Sequence, residues 1–134
     1  MSMRTLGMTA TLLATGLLLP AAASAGGSFR GTTDEGQSLG FRTSSKSLIR
    51  FTTQIEVRCV NEGPRMDTIA LPDVRVRNGR FEYDGMLNGS YVFLEGRLLR
   101  GRATGKLRFV SNGSGDWCGS SSVRWKARRS SRAR

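Results

Sequence analysis

The chain has 134 residues, 21 basic and 10 acidic side chains, a formal net charge of +11, two cysteines and no histidine. Lack of histidine removes the commonest general base, the usual serine activator and the commonest zinc ligand, which argues against triad hydrolases. Two cysteines alone make a poor zinc site, so neither a metal nor another cofactor is expected.

Residues 1–25 read as a signal peptide. Arg4 supplies the positive n-region, residues 6–19 form an uncharged apolar run, and Pro20 precedes the small-x-small pattern Ala23-Ser24-Ala25. Fourteen apolar residues fall short of the roughly 20 that span a bilayer core. No cysteine near the cleavage site offers a lipid attachment point, and no Arg-Arg pair suggests the twin-arginine route. The expectation is an extracellular protein with no transmembrane segment once residues 1–25 are cleaved. Residues 26–128 would form one domain, and 129–134 a basic flexible tail. Cys59 and Cys118, an even pair in an exported chain, read as a disulfide.

Taken in order, residues 28–32 and 38–43 read as short strands around the turn Asp34-Glu35-Gly36-Gln37. Residues 48–59 are the longest alternating run. Ile49, Phe51, Thr53, Ile55, Val57 and Cys59 should face inward, and Arg50, Thr52, Gln54, Glu56 and Arg58 outward. Gly63-Pro64 should stop that strand, because proline cannot join an inner ladder. Residues 67–71 form a further short strand, interrupted by Pro72-Asp73.

Val74 and Val76 then alternate with Arg75 and Arg77 up to Asn78-Gly79, a strong hairpin signal. Phe81 and Tyr83 return facing inward, with Arg80, Glu82 and Asp84 outward. Asn88-Gly89 opens the next turn. The strand over 91–98 begins Tyr91-Val92-Phe93-Leu94, apolar on both faces. Ala103, Gly105, Leu107 and Phe109 line one face of another strand. Residues 111–116 have the composition of a flexible loop, and Val123, Trp125 and Ala127 mark the last inward face. No window of residues 26–134 reads as an amphipathic helix. The expectation is an all-β domain, a single antiparallel β-sandwich or small β-barrel of eight or nine strands with one disulfide.

Chemistry is sparser. Serine–lysine catalysis would need Lys46, Lys106 or Lys126 buried, yet each lies in a polar stretch. A carboxylate pair could cleave glycosides without histidine, and Glu56, Glu82, Asp84 and Glu95 are the candidates. Arg75, Arg77 and Arg80 explain Glu82 and Asp84 equally well as charge compensation.

The last two long strands carry the sharper signal. Their outward positions include Arg102, Lys106, Arg108, Arg124, Lys126 and Arg128, which form one cationic face if the strands are neighbours. Arginine outnumbers lysine 18 to 3, and guanidinium groups suit phosphate, sulfate and carboxylate. A compositional bias toward arginine explains that excess as well. The face would take an acidic polysaccharide, a wall polymer or lipid head groups, or would simply keep the domain soluble. Nucleic acid fits poorly, since no helix is available for a groove and aromatics make up only 7% of the chain. Trp117 and Trp125 should pack the disulfide and the core, with Trp117 a lesser candidate for sugar stacking. Asn88-Gly89-Ser90 and Asn112-Gly113-Ser114 match the N-glycosylation pattern but read as turns.

Several short motifs together resemble a group of small exported all-β proteins of uncharacterised function. They are Phe29-Arg30-Gly31-Thr32-Thr33, Arg58-Cys59, Asn78-Gly79-Arg80-Phe81, residues 101–108, and Cys118-Gly119-Ser120 leading to residues 123–128. The resemblance implies a compact β fold with the cysteines paired, and it brings no catalytic residue. The expected protein is a monomeric, non-enzymatic binding module for an extracellular polyanion or cell-surface polymer. A carboxylate-pair carbohydrate-active module is the alternative, and a hydrolase inhibitor using the 111–116 loop is a third.

Overall fold

A computed structural model describes residues 26–111 and 115–130. The expected signal peptide lies outside the described residues, as do 112–114 and 131–134 of the expected loop and tail. Among the described residues ten strands make one antiparallel sheet: β1 Gly27–Thr33, β2 Ser38–Thr43, β3 Ser47–Cys59, β4 Gly63–Ala70, β5 Val74–Arg77, β6 Arg80–Leu87, β7 Ser90–Leu99, β8 Arg102–Ser111, β9 Cys118–Gly119 and β10 Val123–Arg129.

The pairings run β1–β2–β3–β5–β6–β7–β8–β10, and β10 pairs back onto β1. Eight strands thus form a closed ring, a barrel and not a sandwich. β4 extends the hairpin along the far half of β3, and β9 bridges the ends of β8 and β3. The turns explain the meander. Asn78 and Gly79 have φ of 53° and 72°, and Asn88 and Gly89 have 51° and 83°. Positive φ at both central residues is what a two-residue hairpin turn requires to match strand twist.

Alternation along β3 holds from Phe51 to Cys59, whose odd positions are all buried. It fails at Ile49, which is only half-buried, while Leu48 is fully buried in its place. The cause is a bulge. Gly40 pairs with Thr52 and Arg42 with Ile49, so β3 carries one extra residue there. Arg50 absorbs it at φ 55°, and the facing of everything before it flips. Pro64 also departs from expectation, since it lies inside β4 opposite Arg58. Among the described residues β4 pairs only with β3, and a proline is tolerated on such an edge.

Side chains fill the interior. Leu48, Phe51, Ile55, Val57, Val92, Leu94 and Leu107 are almost completely buried. Trp125 stacks on Phe81 at 5.9 Å and meets Phe41 and Phe51 edge-on, and Phe29 stacks on Phe41. Offset and edge-on aromatic pairs are each worth about 0.5–1.5 kcal/mol beyond the area they bury. Trp125 Nε1 finds no acceptor among the described residues.

Cys59 and Cys118 are direct cross-strand partners of β3 and β9 and form the disulfide. Asp116 reinforces that corner. Its buried carboxylate accepts from the backbone N–H groups of Asn61 at 3.0 Å and Glu62 at 3.2 Å. The end of the expected flexible loop is therefore anchored. Both sulfurs beside Asp116 are consumed by the covalent bond, so this cluster is not a set of metal ligands.

Candidate anion-binding site

The β8–β10 register places Lys106 opposite Arg124 and Arg102 opposite Arg128. Lys126 lies between Thr104 on β8 and Thr32 on β1. All five cations are exposed on the outer wall. Arg108 is exposed on the same strand but faces Phe93 of β7 in place of a second cation. All three lysines of the chain are exposed.

The barrel brings further arginines to this wall. Arg30 of β1 pairs with Arg128, so Arg102, Arg128 and Arg30 form one row across three adjacent strands. A second row runs Arg77, Arg80, Arg97 across β5, β6 and β7. Side chains directly opposite in an antiparallel pair have Cβ atoms about 4.5–5.5 Å apart, and like charges there are destabilising. Arg97 and Arg30 lie outside the cationic face expected from the sequence, in which Arg77 and Arg80 are compensating charge for Glu82 and Asp84. Arg97 was legible. Counting back from the two-residue Asn88-Gly89 turn puts it opposite Arg80. Arg30 was not, because only closure of the ring brings β1 beside β10.

Along the second row, on the side away from the first, the wall is indented by an open groove of about 910 Å³ across β5, β6, β7, β8 and β10. Gly96 and Gly105 face each other in it. A Cβ at Gly96 would strike the Phe81 ring at 2.4 Å, and one at Gly105 the Trp125 ring at 2.5 Å. Bare backbone on the two aromatic rings therefore replaces a layer of side chains. Arg75, Arg77, Arg80 and Arg97 line one part of the groove, and Lys106 and Arg124 another.

Of the four candidate acids, the groove gathers Glu82 and Glu95, which are direct cross-strand partners. They rise side by side from one face. Glu95 also stands directly opposite Lys106 of β8, and neither glutamate forms an ion pair among the described residues. Asp84 lies two pairs further along and accepts a hydrogen bond from the Tyr91 hydroxyl. That bond is the main cause holding the Tyr91 phenol above its ordinary pKa, with smaller upward contributions from burial and the Asp84 and Glu82 charges and an opposing one from Arg108. Glu56 sits elsewhere, on β3 opposite Met66.

Trp117 differs from the expectation that it packs the disulfide. Its side chain is 51% exposed and lies over Gly119, where a Cβ would meet it at 2.7 Å. Two residues of β9 are too short to cover it. Among the described residues no helix is long and apolar enough to cross a membrane. Compared with known proteins, the chain matches no family model and no curated sequence.

Proposed function

We propose that this protein is a non-enzymatic, exported binding module for an extracellular polyanion, taken on the outer wall by Arg102, Lys106, Arg108, Arg124, Lys126 and Arg128 together with Arg30. The observation that carries this is the run of like-charged cross-strand neighbours, above all Lys106–Arg124 and the row Arg102–Arg128–Arg30. A solvated face gains from alternating its charges, whereas stacking cations in register costs stability that a bound anion returns. Barrel interior and ligand face are separate, since the core is filled with apolar side chains.

The protein should be retained on immobilised heparin and released by moderate salt. Lys106→Glu with Arg124→Glu should weaken binding at least tenfold, since a cation near an anionic surface contributes on the order of 1 kcal/mol. Retention no stronger than that of an unrelated protein of equal charge, or unchanged by the double reversal, would overturn the assignment. The adjacency of Glu82 and Glu95 in the groove supports the carbohydrate-active alternative. Release of new reducing ends from the bound polymer would favour it, and their absence would leave the binding module alone.

A further inference from the structure

Resting on that reading, the groove narrows the ligand class. Carboxylates are acceptors only, and Glu82 and Glu95 stand together among the groove cations without an ion pair to any of them. A polymer bearing charge alone, such as a chain of phosphates, would satisfy the guanidinium groups but meet the two adjacent carboxylates, of which Glu95 stands directly opposite Lys106. A polymer whose repeats carry both an anionic group and hydroxyls satisfies both, its acid groups on the cations and its hydroxyls donating to the glutamates. Thr104 also lines the groove. At Gly96 and Gly105 the backbone rests directly on the Phe81 and Trp125 rings, which lowers the wall between the flanking polar side chains. Five adjacent strands set about 4.8 Å apart make the groove roughly 19 Å across, long enough for several linked sugar rings.

We infer that the groove between β5 and β10 is the seat of an acidic polysaccharide chain, with Glu82 and Glu95 as the groups that select hydroxyl-bearing polyanions over phosphate polymers and lipid head groups. The row Arg102–Arg128–Arg30, outside the groove, supplies charge without this selection.

The test is a titration of the disulfide-bonded protein with polygalacturonate and with inorganic polyphosphate at matched charge concentration and salt. Wild type should hold polygalacturonate at least tenfold tighter. Glu82→Ala with Glu95→Ala should collapse that preference, by weakening polygalacturonate and strengthening polyphosphate. Arg128→Glu, outside the groove, should weaken both polymers and leave their ratio unchanged. Equal or tighter binding of polyphosphate by wild type, or a ratio unmoved by the double alanine variant, overturns the groove assignment while leaving polyanion binding intact. Failure to bind either polymer overturns both.

Discussion

Glu35, in the turn between β1 and β2, is held above the ordinary carboxylate pKa first by loss of solvent and then by the charges of Glu56 and Asp34, against a pull from Arg58. A raised value means that the native state favours the protonated carboxyl. Its contribution to stability is present below the unfolded-state pKa and is lost as pH rises through the folded-state value. At neutral pH the charged side chain opposes the fold. Glu35→Gln should therefore raise the thermal midpoint at pH 7, and the gain should vanish below about pH 4. An equal gain at both pH values would show that charge is not the cause. At this scale the sequence was informative wherever a side chain's role followed from strand parity. Phe81, Tyr83, Val123, Trp125 and Ala127 face inward as alternation requires. Ile49 did not follow, because a bulge leaves no signature when arginine rather than glycine occupies its positive-φ position.

The elements divide by the length of their connections. β5 to β8 are joined by tight turns, so register follows by counting from Asn78-Gly79 and Asn88-Gly89. β10 reaches β1 across nearly the whole chain, and nothing local encodes that pairing. Gly31 makes it possible. A Cβ there would lie 1.8 Å from the Lys126 carbonyl oxygen and 2.6 Å from the Ala127 Cα, both backbone atoms that cannot swing aside. Gly31→Ala should cost about 1–3 kcal/mol, seen as a lower denaturant midpoint. An unchanged midpoint would mean that β1 and β10 are not pressed together at this point. The disulfide links β9 to the end of β3. Closing a loop of this length stabilises by about 4 kcal/mol on the chain-entropy model.

For the whole molecule the dominant feature is unbalanced charge laid out in rows. With a formal +11 on the chain, the rows Arg77–Arg80–Arg97 and Arg102–Arg128–Arg30 repel both within and between themselves. Raising ionic strength from 0.01 to 0.15 M shortens the Debye length from about 30 to about 8 Å. The melting temperature should rise by about 4–8 °C if the relief is on the order of 1 kcal/mol. Arg102→Gln with Arg128→Gln should shrink that rise. A midpoint that is flat or falls with salt would show that the rows store no repulsion.

The all-β character, the inward faces of most strands and the cysteine pair followed from sequence alone, because they depend on side-chain parity and short turns, which are local. Ring closure, the joining of Arg30 to the β8–β10 cations, and the indentation that brings Lys106 and Arg124 to the same groove as the Glu82–Glu95 pair came only with the tertiary structure. Those features depend on which distant strands meet, and the free energy that selects the partners belongs to the assembled core and is written in no single segment.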